Sequence, residues 1–223
     1  YIGVTGVQTC ALPIFSRHTD YGNVPFDESI ALANPLEQFA QWLKQAEAED
    51  VFEPNAMVAS TIDPDGAVSS RTVLLKGLDD TGFEFVTNYT SRKGKALLAN
   101  PSVSLLFPWY GLKRQVIVYG EAKPTVSEVS DLYWNRRPKG AQLASAASDQ
   151  SAPIASRDEL DLQLAALEAQ FPGDSVVPRP EHWGGFRVIP HAIEFWQGRS
   201  MRFHDRIRYE RVDGHWQITR LQP

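Results

Sequence analysis

After residue 55 the hydrophobic pattern takes a period of two, and the stretches carrying it are separated mostly by turns. "AMVASTI" (56–62) and "AVSSRTVLLKGL" (67–78) flank "DPDG", where Pro64 presets φ and Gly66 tolerates a positive one. "GFEFVTN" (82–88), "SVSLLFPW" (102–109) and "RQVIVYGEA" (114–122) continue the pattern. Near the end come "GGFRVI", "AIEFWQG", "DRIRYERV" and "HWQITRL", the last two joined at Asp213–Gly214, a hairpin signal. Strands joined this way form an antiparallel sheet rather than a βαβ array. About eight or nine of them predict a mainly β chain whose sheet closes into a barrel, with peripheral helices.

The helices announce themselves by their caps. Asn34, Pro35 and Glu37 start one whose apolar stripe is Leu36, Phe39, Trp42, Leu43 and Ala46. Thr125 with Glu128, and Ser156 with Glu159, predict two short ones. Residues 34–223 are expected to form a single domain behind an extended arm, 16–33. Residues 4–14, "VTGVQTCALPI", read like the translation of a sequencing-library adapter, so 1–15 are expected to be non-native. Resequencing the locus tests this, and Cys10 is set aside with the segment.

Composition narrows the function. A net charge of −5 argues against a general nucleic-acid binder. No apolar run approaches the roughly 20 residues of a membrane span. One cysteine excludes an intramolecular disulfide framework or a cysteine-rich zinc site and fits a reducing cytoplasm. The five histidines show no ligand spacing, so no metal is expected. Phosphate loops of the Walker type, dinucleotide turns and nucleophile elbows are all missing.

Against that acidic background the basic clusters stand out. "QGRSMRFHDRIRYER" (197–211) holds five arginines and a histidine. If 202–206 is extended, Arg202, His204 and Arg206 share one face, an arrangement that suits an anion. "TSRKGKALLANP" places Arg92 and Lys93 in the first turn of a helix capped by Ser91, where the dipole disfavours cations. A bound phosphate would make sense of them, and a solvated turn is the plainer reading. Arg71 shares a strand face with Val73 and Leu75; by itself it reads as a strand-edge arginine paired with a carboxylate. Arg136 and Arg137 close a helix, where cations are favoured in any case.

Taken together, "RTVLLK", "TNYTSRK", "SLLFPW", "RQVIVYGEA", "QSAPIASR", "HWGGFRV", "IEFWQG" and "RFHDR", with the terminal "RLQP", resemble the pyridoxine/pyridoxamine 5'-phosphate oxidase family. The likeness runs in order from about Asn34 to Pro223. It implies an antiparallel split β-barrel, a homodimer with FMN at the subunit interface. Carried across, the FMN contacts fall on Arg71, Lys76, Val86, Thr87, Arg92, Lys93, Gln115, Gln150, Ser151, Trp196 and Arg206. The substrate phosphate falls to Lys76, Tyr133 and Arg137, and to a position that is serine in the family and Ala141 here. Arg202 and His204 are expected to orient the reacting end, with His204 a candidate proton acceptor. The implied reaction converts pyridoxine or pyridoxamine 5'-phosphate to pyridoxal 5'-phosphate, with O2 as acceptor and H2O2 as product. A flavin oxidase of the phenazine type and a non-catalytic flavin-binding barrel are the alternatives; Arg202 and His204 together favour an enzyme.

Overall fold

The computed structural model describes residues 19–223; the adapter-like segment and residues 16–18 of the arm lie outside the described residues. Six strands close a barrel: β1 (Ala56–Ile62), β2 (Val68–Asp79), β3 (Gly82–Asn88), β4 (Ser102–Trp109), β5 (Arg114–Pro124) and β6 (Trp183–Gln197). Their spatial order is β3-β2-β1-β4-β5-β6, every pairing is antiparallel, and β3 pairs back onto β6 to complete the ring. β7 (Asp205–Val212) and β8 (His215–Arg220) continue the sheet outside it.

The two stretches "GGFRVI" and "AIEFWQG", expected as separate strands, are one strand, β6. Its first half, Trp183–Val188, pairs with β3, and its second half, Ala192–Gln197, pairs with β7. β5 accompanies both halves, but Tyr119 faces Ala192 while Gly120 faces Pro190, so His191 bulges out. Pro190 has no N–H to give, and a bulge accommodates it while bending the strand. The sheet splits at this bend.

The inward alternation is as the period predicts. Met57, Ala59, Phe83, Phe85, Leu105, Phe107, Val116, Val118, Phe186, Val188 and Phe195 are buried in the core. One helix plugs the barrel. α1 (Pro35–Ala48) is capped by Asn34, whose side chain accepts from the Leu36 amide, and it buries Leu36, Phe39, Trp42 and Ala46. Phe39 meets Phe83 and Phe107 edge-on, at centroid separations of 4.9 and 4.6 Å, the geometry aromatic quadrupoles prefer.

The remaining helices lie outside the barrel. α2 (Arg92–Ala99) follows β3, and α3 (Ser127–Asn135), α4 (Lys139–Ala147) and α5 (Arg157–Gln170) connect β5 to β6. α5 starts as expected: Ser156 accepts from the Glu159 amide, and the Glu159 carboxylate accepts from Ala155. α3 does not. Its cap position is Val126, while the Thr125 hydroxyl bonds that of Ser130 and its amide donates to Gly185. β6 thus captures Thr125, and the helix starts one residue later. α4 was not foreseen. Trp134, Leu143, Val177 and Trp183 form a small second core where α3 and α4 meet the start of β6. Among the described residues no helix is long and apolar enough to cross a membrane.

Candidate active site

The start of α2 is held against the end of β3 by a compact set of bonds. Ser91, fully buried, accepts from the Gly94 amide and donates to the Asn88 carbonyl. This brings Lys93 back over the strand, where its ammonium donates to Thr87 Oγ1 at 3.1 Å and Gln150 Oε1 at 2.8 Å. Desolvation, and then the nearby Arg71 guanidinium, lower the Lys93 pKa to about 8. Arg92 behaves differently. It turns away to pair with Asp63 at 2.6 Å, so the two first-turn cations do not converge. Asp63 also accepts from Ser69, which with Thr61 and the Ala59 carbonyl accepts from Arg71. The partner foreseen for Arg71 is therefore a set of neutral oxygens with Asp63 behind them.

Lys93 faces a cavity of about 510 Å³ whose lining includes Lys76, Thr87, Arg137, Ala141 and Gln150. A second cavity of about 410 Å³ shares Lys76, Val86, Arg137 and Ala141 with it and adds Tyr133. Lys76 borders both, at the point where the register of β2 shifts between Leu75 and Gly77. Arg137 lies between them, its guanidinium 5.2 Å from the Trp183 ring centroid and its Nε buried without a partner. Tyr133 donates to the buried Glu84 carboxylate at 2.5 Å; burial first and then that carboxylate raise its pKa. Ser151, exposed and with φ at 77°, lies beside Gln150 outside the lining.

The other expected residues gather elsewhere. Gln115 faces Trp196 on β6, and Trp196 faces Arg206 on β7, so the three form one cross-strand row. Arg206 is held by buried Glu194 at 2.8 Å and by the Gln222 carbonyl. Residues 202–206 are not extended throughout. A 3-10 turn, Ser200–Arg202, puts Met201 and Arg202 at φ of 54° and 62°, and only from Asp205 does the strand run. The alternation expected for Arg202, His204 and Arg206 therefore fails. His204 packs 4.6 Å from Trp196, ring to ring.

The histidine's tautomer follows from one bond. The Arg199 amide donates to His204 Nδ1 at 3.0 Å, so the neutral ring carries its proton on Nε2. Burial and then Arg202 lower its pKa, favouring that neutral form. With Nδ1 engaged and Nε2 protonated, His204 is placed to donate a hydrogen bond rather than to take up a proton.

The arm contributes a residue that its aperiodic sequence gave no reason to single out. Tyr21 meets Trp196 and His204 edge-on at 5.7 and 5.5 Å. Asp20 and the Gly22 carbonyl accept from Ser200, tying the arm to the turn. Tyr21, Arg199, Arg202 and His204 border a cavity of about 620 Å³.

The two groups lie at opposite ends of β6. Trp183 borders the Lys93 cavity and Trp196 carries the aromatic cluster, thirteen positions on. At about 3.3 Å per residue the span reaches roughly 40 Å if the strand is straight, and the bend shortens it. Within one chain the groups are apart.

Residues 43–171 match the family described as "Pyridoxamine 5'-phosphate oxidase", and residues 183–223 match the "Pyridoxine 5'-phosphate oxidase C-terminal dimerisation region". The chain belongs to the pyridoxamine 5'-phosphate oxidase family. A relative named pyridoxine/pyridoxamine 5'-phosphate oxidase from Thermobifida fusca is 51% identical, over 91% of this chain and 95% of its own length. The same name is carried by a relative from Rubrobacter xylanophilus, 50% identical over 92% of this chain and 94% of its own. Among solved structures, PhzG from Burkholderia lata in complex with tetrahydrophenazine-1-carboxylic acid superposes with a TM-score of 0.85 at 35% identity, covering 91% of this chain and all of that one. The split-barrel fold is thus that of the family. Apart from Trp183, the cavity-forming residues around Lys93 fall in the first matched region, and Trp196, Arg202, His204 and Arg206 fall in the dimerisation region.

Proposed function

We propose that the protein is an FMN-dependent oxidase that converts pyridoxine 5'-phosphate or pyridoxamine 5'-phosphate to pyridoxal 5'-phosphate, with O2 as acceptor and H2O2 as product. The observation that carries it is the pair of adjoining cavities sharing Lys76 and Arg137, a set of cations suited to two phosphorylated molecules side by side. Lys93, Thr87 and the α2 N-terminus fit the FMN phosphate: a desolvated ammonium at the positive end of a helix dipole favours an anion. When bound, FMN supplies the hydride acceptor and passes the electrons to oxygen.

This chain's residues bind and orient. Lys76 and Arg137 hold the substrate phosphate, joined by Tyr133 once its hydroxyl turns from Glu84, and so convert remote binding energy into placement of the reacting carbon. The buried, partnerless Nε of Arg137 supports that assignment. Arg202 and the Nε2–H of His204 orient the alcohol or amine. Gln115, Trp196 and Arg206 contact the cofactor in this reading, as do Arg71, Val86, Gln150 and Ser151. Arg92, bound to Asp63, contributes field at a distance. Because the two groups lie apart in one chain, the active unit is a homodimer in which the Trp196–His204 cluster of one protomer closes over the Lys93 cavity of its partner.

Reconstituted protein is expected to release peroxide and form pyridoxal 5'-phosphate from either substrate. Full FMN occupancy with no turnover would instead mark a flavin-binding barrel. The likeness to PhzG and the alanine at 141 justify adding a tetrahydrophenazine carboxylate to the panel. Turnover of that compound alone would move the protein to the alternative chemistry.

FMN affinity should also depend on pH through Lys93. Its ammonium is charged below about 8 in the free protein and is lost above it. The FMN phosphate is already a dianion there, since its second pKa is about 6. Binding at higher pH must therefore take up a proton, and affinity falls by up to about tenfold per pH unit. Flavin fluorescence quenching between about pH 7 and 10 measures this. A flat profile for the wild type, or an unchanged slope in Lys93→Met, would contradict the assignment.

A further inference from the structure

We propose that Ser145 supplies the hydroxyl of the substrate-phosphate cradle that Ala141 lacks, one turn further along α4. The inference rests on the reading of Arg137 as a phosphate ligand given above. Ala141 and Ser145 are four residues apart on one helix, so they present on the same face; Ala141 lines both cavities, and Ser145 reaches the shared Arg137 from the Lys93 side. Arg137 Nη2 donates to Ser145 Oγ at 2.8 Å and to the Ala141 carbonyl at 3.1 Å. A helical serine often returns its proton to the carbonyl four residues back. Here that carbonyl is Ala141's, already accepting from Arg137, and the Ser145 proton is committed to no acceptor among the described residues.

Ser145 therefore does two things. Its oxygen fixes one edge of the guanidinium, leaving Nε, buried and without a partner, as a remaining donor. Its proton is available to a phosphate oxygen held by the same arginine, since a hydroxyl accepts and donates at once. The ligand chemistry is a phosphate monoester on a small planar molecule, and the residue tunes affinity for the phosphorylated form. Ser148, also on the lining, lies at the end of α4 and has no bond to Arg137.

The test compares wild type, S145A and S145T, each loaded with FMN, using pyridoxamine 5'-phosphate turnover and equilibrium binding of pyridoxal 5'-phosphate. A lost hydrogen bond to a charged group predicts that S145A raises KM and weakens product binding about tenfold or more. The turnover number, FMN content and melting temperature should stay near wild type, and S145T should keep wild-type KM. Wild-type turnover with an unchanged KM in S145A would overturn this inference alone. So would S145T as weak as S145A, or joint loss of turnover number, FMN content and melting temperature. A wild type that holds FMN yet neither binds pyridoxal 5'-phosphate nor turns over would overturn the proposed function and this inference with it.

Discussion

Replacing Arg202 by alanine is expected to lower turnover by roughly two to three orders of magnitude while FMN content stays at the wild-type level. The size is that of removing a preorganised charged donor from the reacting end of a substrate. The separation of effects follows from location. Arg202 borders the cavity with Tyr21 and His204, whereas the cations suited to the cofactor phosphate belong to the Lys93 group. The turn itself should survive the change. Arg199 anchors one side through Asp205 at 2.8 Å, and Ser200 bonds the Gly22 carbonyl, so the left-handed backbone at 201–202 is imposed by its neighbours. Arg202→Lys should recover only part of the rate, because an ammonium lacks the planar fork. Stopped-flow reduction of bound FMN and flavin absorbance report the two quantities separately. Equal losses of both would show that Arg202 serves the cofactor.

Gly94→Ala is expected to lower the melting temperature by roughly 4–8 °C and to weaken FMN binding with it. A Cβ there would sit 2.6 Å from the Tyr89 carbonyl carbon and closer still to the Asn88 and Tyr89 oxygens, all backbone atoms that cannot rotate away. Overpacking of this kind costs about 1–3 kcal/mol or more, above the roughly 1 kcal/mol alanine returns as a helix former. For a chain of this size each kcal/mol moves the midpoint by about 2–4 °C. Relief means lifting α2 off the end of β3, and that separates Lys93 from Thr87. Calorimetry and flavin titration on the same preparation test the pair of effects. A variant with wild-type melting and wild-type affinity would show that the contact relaxes freely.

The barrel was legible in the chain because its strands alternate cleanly and its turns carry Gly, Pro and Asp. Other features depended on neighbours distant in sequence. Thr125 has the chemistry of a cap, but the Gly185 carbonyl and Ser130 claim it first. α4 is written in alanine and serine, residues with too little apolar contrast to reveal a face, and it went unrecognised along with Ser145. Residues 202–206 suggested an alternating strand; two left-handed residues at 201 and 202 delay that strand until Asp205. Arg92 looked like the twin of Lys93 until Asp63, 29 positions away, took it. Tyr21 carried no signal at all, since its role comes from where the arm lies.

The continuity of β6 gives it the part of a measuring rod. One unbroken strand has Trp183 near its start and Trp196 near its end, so its length sets the distance between the Lys93 cavity and the Trp196–His204 cluster. Deleting a single residue beyond the His191 bulge would turn every later side chain to the opposite side of the sheet. Trp196 would then leave the row it shares with Gln115 and Arg206, although no amino acid in that row had changed. Tolerance to insertions and deletions should accordingly be lowest along this strand, including at positions that touch no ligand.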